Sequence, residues 1–480
     1  MPENSWPENG SSSELNSVNT LFTDWSPEDF EGNYNPSSAG RRRKAAVTLA
    51  VVWSITVALH WLSWGSWVVW GLTLVTGIHA LRVLAARPGA LPEPLSAQIK
   101  PESLPYVSLL VAAKNEEGVV TRLVRHLCSL DYPASRYDLW VINDNSADRT
   151  GALLDELARS HPQLKVIHRG AEASGGKSGA LNQAWPQTRG DVVAVFDADA
   201  QVPKDLLRRV LPMFERPKVG AVQVRKAIAN ATANFWTRGQ AAEMALDTFF
   251  QQQRIALGGI GELRGNGQFI RRQALQSCGG FNEETITDDL DLTVRLHLES
   301  WDLESLSYPA VEEEGVTGPV ALWHQRNRWA EGGYQRYLDY WRPLVWNRLG
   351  FNKTLDLLMF WLIQYILPTA ALPDLTLAIA RHTSPVLAPL TGMTVGLSLM
   401  GMYVGLRRIQ RQQASISPLW RSRLRAAGQT LLGTVYMFHW LVVIGSTTVR
   451  MSIRPKRLKW VKTVHYGAQE EWADAPGGVS

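Results

Sequence analysis

Acidic and basic residues whose types suit phosphate and proton chemistry recur in a fixed order through the middle of the chain. They are Asp144 in WVINDNSADRT, Lys177 in GGKSGALN, the pair Asp197 and Asp199, the triplet Thr287-Asp288-Asp289, and the segment QRNRW at 325–329. Carboxylate oxygens bind hard divalent cations, a carboxylate can take a proton as a general base, and Arg and Lys bind phosphate. Together these groups could hold a nucleoside diphosphate and activate a hydroxyl group.

The pair Asp197 and Asp199 follows a short apolar run, Val192–Phe196, that predicts a buried strand. Residues i and i+2 of an extended chain face the same side, so both carboxylates can approach one site. Such oxygens suit Mg²⁺ or Mn²⁺, with diphosphate oxygens completing an octahedral shell. The sequence predicts a divalent metal site here and does not choose between the two ions.

Asp144 and Lys177 each have a functional and an ordinary interpretation. Asp144 follows the apolar run Leu139–Ile142, where it could accept hydrogen bonds from a base or ribose, or simply shape a turn. The segment around Lys177 lacks the first glycine of a phosphate-binding P-loop, because Ala171 occupies that position. A lysine in a glycine-rich turn can still meet a diphosphate as a mobile point charge.

All five motifs in this order resemble those of the family-2 glycosyltransferases, inverting enzymes of fold A, over about residues 105–345. The resemblance implies a nucleotide-sugar donor, a UDP-sugar, and a set of donor contacts. The donor-binding residues implied are Asn115, Glu116, Asp144, Lys177, Asp197, Arg326 and Arg328.

The same resemblance assigns the acceptor side. Thr287-Asp288-Asp289 matches the family's Thr-Glu-Asp with Asp in place of Glu, and Asp289 aligns with the general base, although Asp291 is a near neighbour. Removal of the acceptor's proton by this carboxylate, with single displacement at an α-linked donor, implies a β-linked product. The acceptor-side residues implied are Gly265, Asn266, Gly267 and Trp329, with the first three expected to precede a helix.

Short apolar runs alternate with helical patterns in the segment that must position these residues. The runs are Val107–Ala112, Leu139–Ile142 and Val192–Phe196, and helical patterns cover 117–129 and 150–160. This alternation predicts an α/β domain with a mostly parallel sheet at 105–330. Ligands of such sheets bind at the carboxyl ends of the strands, where the motif residues lie.

Apolar segments of membrane-spanning length flank the predicted domain. Residues 45–86 predict a helical hairpin of two runs, 45–63 and 67–86, and 354–449 contains three more runs. Three crossings would place the basic segment after 449 outside the cell, against the positive-inside rule. Either 428–449 therefore re-enters without crossing, or another run is divided. Mixed aromatic and basic residues at 330–350 predict an interfacial amphipathic helix.

Charge and cysteine content limit the partners and the compartment. Net charge is +5, and the basic clusters at 41–44, 407–425 and 450–462 each adjoin an apolar run, which favours an anionic membrane surface over nucleic acid. Residues 1–44 predict a disordered acidic tail ending in a basic cluster, and 450–480 a basic tail. Two cysteines form no disulfide framework and no zinc-ligand spacing.

The layout of tail, hairpin, domain and apolar C-terminal third resembles the members of this family that glucosylate diacylglycerol in cyanobacteria. This resemblance implies UDP-glucose as donor, 1,2-diacylglycerol as acceptor, and a cytoplasmic catalytic domain on a bacterial inner or thylakoid membrane. A processive polysaccharide synthase, or transfer to another lipid such as ceramide, is the alternative. The motifs do not separate glucose from galactose, and they give no oligomeric state.

Overall fold

The computed structural model describes residues 40–412 and 418–453. The predicted acidic tail at 1–44 and basic tail at 450–480 lie almost wholly outside these residues. The described chain begins with two antiparallel apolar helices, α1 (Arg41–Trp61) and α2 (Gly65–Ala85), at the position of the predicted hairpin.

Seven strands form the sheet of the central domain, which confirms the predicted α/β class. They are β1 (Val107–Ala113), β2 (Tyr137–Asn143), β3 (Leu164–His168), β4 (Val192–Phe196), β5 (Val219–Ile228), β6 (Gln268–Arg271) and β7 (Asp302–Glu313). Their order is β3-β2-β1-β4-β6-β5-β7. Strand β6 runs antiparallel to β4 and β5, whereas the other pairs are parallel.

Strands β1 and β4 are apolar except at Ser108, because both faces of the sheet are covered by helices. In β1, Leu109 and Val111 belong to the core on one face, while Leu110 and Ala112 belong to the core on the other. The helices of the domain are α3 (Val120–Leu127), α4 (Thr150–Ser160), α5 (Gly176–Ala184), α6 (Leu206–Val210), α7 (Phe235–Ala256), α8 (Arg272–Ser277) and α9 (Asp288–Leu298).

The segment 330–350 differs from the interfacial amphipathic helix predicted for it. A helix α10 (Pro319–Asp339) begins eleven residues earlier and buries most of its second half, and a short α11 (Trp341–Val345) follows. Tyr334 and Leu338 pack in one core with Ala45 of α1. Amphipathicity could not reveal this burial, because the polar groups on α10 are paired inside the protein, as Asp339 is with the Arg41 guanidinium (Nε–Oδ1 2.7 Å).

Two adjacent glycines let α10 approach the elements on either side of it. A Cβ at Gly332 would overlap the Thr287 side chain, and one at Gly333 would overlap the Tyr365 hydroxyl. Thr287 directly precedes α9, whereas Tyr365 lies in the apolar C-terminal region. The helix therefore joins the domain to the membrane helices through a glycine-mediated close contact.

Five helical segments among the described residues are long and apolar enough to cross a membrane, which makes the chain a membrane protein by length and composition. After α1 and α2, the third comprises α12 (Phe351–Trp361), a π-helical turn at Leu362–Ile366 and α13 (Leu367–Ala380). The remaining helices are α14 (Ala388–Gln412), α15 (Leu419–Met437) and α16 (His439–Ile453), with the last two forming one apolar segment.

Both ends of α16 contact the central domain or its motif helix. At one end Trp440 Nε1 donates to Glu243 Oε1 of α7 (2.8 Å), and at the other Thr447 Oγ1 donates to Asn327 Oδ1 of α10 (3.3 Å). Arg450 also donates to Asn327.

Candidate active site

Asp197 and Asp199 follow the last residue of β4 and line one large cavity. Lys177, at the start of α5, donates from Nζ to Asp197 Oδ1 at 2.6 Å, while Asp199 Oδ2 accepts the Glu314 amide at 3.0 Å. Burial opposes ionisation of Asp197, but Lys177, then Lys226 and Arg328, hold its pKa below the usual value. Asp197 is therefore anionic and set beside cations.

The Gly265-Asn266-Gly267 loop supports Asp197 and precedes strand β6 instead of the predicted helix. Gly265 and Gly267 both adopt positive φ (83° and 71°), a conformation that glycine tolerates best. Asn266 is fully buried and its Oδ1 accepts the Asp197 amide at 3.2 Å. Gly265 is the member of this loop that lines the cavity.

Asp289 lies in the first turn of α9 and lines the same cavity. Its Oδ1 accepts the Leu290 amide at 2.9 Å. Burial, followed by the nearby Asp288 carboxylate, raises the pKa of Asp289 to about 6. Among the three neighbouring acids, Asp291 is engaged elsewhere, since Tyr340 Oη donates to its Oδ1 and Arg295 Nε to its Oδ2 (2.9 and 2.7 Å).

The two arginines of QRNRW point to different places. Arg328 lines the cavity, near enough to Asp197 and Asp289 for their charges to act on it. Arg326 is fully buried, with Nη2 donating to Glu243 Oε2 (2.6 Å) and to Tyr436 Oη (3.0 Å). The structure thus corrects the expected diphosphate contact of Arg326: this side chain links α10 to α7 and α15.

Only some of the residues predicted to contact the nucleotide line the cavity, and the others bind neighbouring parts of the protein. Glu116 lines the cavity, but Asn115 does not, and its Oδ1 instead accepts the Ala147 amide at 2.7 Å. Asp144 is buried outside the lining and pairs with the Arg169 guanidinium at 2.5 Å. Arg169 in turn donates to the carbonyls at 174 and 176, so this pair holds the loop before Lys177.

Two basic residues that the sequence analysis did not single out belong to this region. Lys226, near the end of β5, lines the cavity and donates from Nζ to Glu313 Oε1 at 3.2 Å. Its ammonium lies 5.2 Å from the ring centre of Trp329, which also lines the cavity. Lys226 and Arg169 both lie at or just beyond the carboxyl end of a strand. This position is the feature of the sequence that could have identified them as candidates.

The oxygen atoms of Asp197 and Asp199 fit a metal ion that takes its remaining ligands from a bound substrate. Within 40–412 and 418–453, no group of three or more His, Cys, Asp or Glu side chains is arranged to hold a metal ion alone. Mg²⁺ and Mn²⁺ bind through one or two carboxylates when substrate phosphates and water supply the remaining oxygens. Asp197 and Asp199 meet this requirement, with Lys177 beside them as a cation that could instead meet the phosphate.

Comparison with known proteins identifies the family. Residues 105–332 match the model described as glycosyltransferase-like family 2. The beta-monoglucosyldiacylglycerol synthase of Trichormus variabilis is 60% identical over 477 residues, which cover 98% of this chain and 100% of that protein. The synthase of the same name from a Synechocystis species is 55% identical over 476 residues, 98% of each chain.

Among solved structures, the mannosyltransferase PcManGT from Pyrobaculum calidifontis, in complex with GDP-Man and Mn²⁺, superposes with a TM-score of 0.51. It covers 81% of this chain and 99% of its own length at 21% identity, which is evidence for the fold alone. The resemblance stated from the motifs is confirmed by the full-length relatives. The chain belongs to the glycosyltransferase-like family 2, within the group formed by the beta-monoglucosyldiacylglycerol synthases.

Proposed function

We propose that this protein transfers glucose from UDP-glucose to the free hydroxyl of 1,2-diacylglycerol and so forms beta-monoglucosyldiacylglycerol. One observation carries the proposal: a single cavity joins the carboxylate pair and Asp289 to an apolar region between membrane helices. A nucleotide sugar suits the first part and a lipid suits the second. The names of the relatives at 55–60% identity supply the sugar and the acceptor.

Binding of the donor rests on charge balance around its diphosphate. Asp197 and Asp199 would hold a divalent cation, which when bound neutralises negative charge on the diphosphate. Lys177, Lys226 and Arg328 line the same part of the cavity and can meet phosphate oxygens directly. Lys177 now donates a hydrogen bond to Asp197. When the donor binds, Lys177 would donate to a phosphate oxygen in place of Asp197.

Asp289 supplies the base for the transfer step. Its ionised carboxylate takes the proton from the acceptor hydroxyl as that oxygen forms a bond to the anomeric carbon. The bond from that carbon to the β-phosphate oxygen breaks, and UDP leaves with the electron pair. Attack opposite an α-linked leaving group gives a β-glucoside, and Lys177 and Arg328 remain to balance the charge on the departing UDP.

The raised pKa of Asp289 leads to a pH prediction. A base must be ionised to act, so kcat/KM for the acceptor should be constant well above pH 6 and decline as pH falls through about 6. Initial rates measured from pH 5 to pH 8.5 at saturating UDP-glucose test this. A kcat/KM that stays constant down to pH 5, as it would with an aspartate of ordinary pKa, would contradict a perturbed base at this position.

The reaction itself is tested with the purified full-length protein in detergent, 1,2-diacylglycerol, and radiolabelled UDP-glucose or UDP-galactose. Label should enter a chloroform-soluble lipid with one sugar, preferentially from UDP-glucose, and a β-glucosidase should release it. Accumulation of labelled polymer without labelled lipid would instead support a processive polysaccharide synthase. Preference for ceramide over diacylglycerol would keep the chemistry and change the acceptor.

The same proposal places the catalytic domain in the cytoplasm, where nucleotide sugars are made, on a bacterial inner or thylakoid membrane. The basic cluster in the first turn of α1 and the arginines at the end of α2 support this side. Protease accessibility of the domain in inverted and right-side-out vesicles tests the orientation.

A further inference from the structure

The cavity continues well beyond the groups needed for a nucleotide sugar. Its volume of about 1550 Å³ exceeds the ~300–1,000 Å³ of pockets that hold one small ligand. Beyond Asp289 its walls come from α13, α14 and the bend between α15 and α16. There is therefore room for a second, larger ligand next to the donor.

The walls of this extension are apolar and lie within membrane-length helices. Representative lining residues are Leu367 and Ala371 of α13, Val395 and Met402 of α14, and Ile444 of α16. Along α14 the lining runs from Met402 to Ala388, fourteen residues, or about 21 Å at 1.5 Å per residue. One leaflet of a bilayer contributes about half of its ~30 Å hydrocarbon core, so the extension is long enough for an acyl chain.

Three lining side chains have substantial exposed apolar surface. Leu375 is 47%, Phe438 58% and Leu441 39% exposed in the protein alone. Phe438 lies at the break between α15 and α16. Apolar surface of this kind requires an apolar neighbour, and in a membrane helix bundle that neighbour is lipid.

Polar groups lie at both ends of the apolar region. At the inner end, Gln364 of the π-helical turn lines the cavity, and its Oε1 has no hydrogen-bond partner among the described residues. A polar side chain within a membrane segment is energetically costly and commonly functional, and π-helical turns often mark functional sites. At the far end, Asp374 accepts hydrogen bonds from His60 Nε2 (2.7 Å) and the Val386 amide (2.8 Å).

A polar group at Gln364 followed by apolar walls matches a lipid with its glycerol at Gln364 and its hydrocarbon beyond, and the Asp374–His60 pair marks where the apolar region ends. We propose that the acyl chains of the acceptor lipid bind inside the protein, between α13, α14 and the α15–α16 bend, and end at the Asp374–His60 pair. The inference rests on the proposed transfer to a lipid and adds that the enzyme selects the acceptor by chain length. Chains left in the bulk bilayer would show no such selection.

Bulky substitutions inside the extension test the proposal. Ala371→Phe and Ser398→Phe place a ring in the cavity, and Leu372→Phe and Met400→Phe are matched controls on the same helices outside the lining. Each full-length variant is assayed with dioctanoylglycerol and with dipalmitoylglycerol. The cavity variants should lose roughly tenfold or more in kcat/KM for the long-chain lipid, which corresponds to excluding about two methylene groups.

Activity with dioctanoylglycerol separates the possible outcomes. If it is kept, the variants are folded and the proposed function stands, so a selective loss with the long chain supports internal binding. Equal effects on both lipids, or equal effects in the controls, would overturn the chain-binding site. Absence of transfer to either lipid by the unaltered protein would overturn the proposed function itself.

A photoreactive lipid gives a second test that needs no variant. Diacylglycerol with a diazirine at the end of one acyl chain is bound to the unaltered protein and irradiated, and the attachment sites are found by mass spectrometry. Attachment within 371–398 supports the proposal. Attachment confined to α2, which contributes no residue to the cavity or to the Asp374–His60 pair, would place the chains in the surrounding lipid and overturn it.

Discussion

Replacing Asp289 by Asn is expected to lower kcat for glucosyl transfer by ~10²–10⁴-fold, the usual contribution of a general base. The substitution keeps the size of the side chain and an oxygen that can accept the Leu290 amide, so the start of α9 should not change. Binding of UDP-glucose should persist, because the charge balance at the diphosphate does not use this residue. Single-turnover rates together with calorimetric titration of UDP separate the two effects.

Asp288→Asn and Asp291→Asn are the informative comparisons. Asp288 lines the cavity next to Asp289, so its loss should lower the pKa of Asp289 and shift the acidic limb downward while activity remains. Asp291 pairs with Arg295 and Tyr340, so its loss should reduce thermal stability first. If Asp289→Asn keeps most of the rate and Asp288→Asn loses it, the base is Asp288.

Asp199→Ala is expected to reduce transfer by at least ~10²-fold, because loss of a metal that neutralises the diphosphate removes several kcal/mol of transition-state stabilisation. The variant should also lose the dependence of UDP binding on Mg²⁺ or Mn²⁺. That second readout, measured by titration with and without EDTA, does not require turnover.

Asp191→Ala is the matched control for this prediction. Asp191 stands at the opposite end of the same strand, where its Oδ2 accepts the Tyr106 amide at 2.9 Å, and it is outside the cavity. Its removal should leave metal-dependent UDP binding unchanged. Full activity of the unaltered protein in EDTA, or of Asp199→Ala, would show that the carboxylate pair holds no essential metal.

The sequence alone determined the fold class and the position of the site along the strands. Continuous apolar runs such as Val192–Phe196 identify strands covered on both faces, and the residues that follow them must meet at one edge of a parallel sheet. Asp197 and Asp199 were found in this way, Lys177 was found from its glycine-rich turn, and the structure brings all three to one cavity. The resemblance of the motifs added Asp289, which lies far from them in sequence and faces the same space.

The sequence did not determine which polar residues face the ligand and which face the protein. Arg326 and Arg328 are two positions apart on α10, so their side chains point about 200° apart around the helix axis. Only packing against Glu243 and Tyr436 decided that Arg326 is the one turned inward. Asn115 and Asp144 were likewise directed to neighbouring loops by partners distant in the chain.

Burial of the segment after 330 and the extent of the cavity also depended on tertiary structure. Mixed aromatic and basic residues at 330–350 indicated an interfacial amphipathic helix, whereas in the structure Thr287, Tyr365 and Arg41 pack against α10. The cavity is a space enclosed by helices whose apolar residues would equally suit contact with lipid. The local sequence pattern indicates which side chains avoid water. Only the arrangement of the helices decides whether those side chains pack against protein, bilayer lipid or bound substrate.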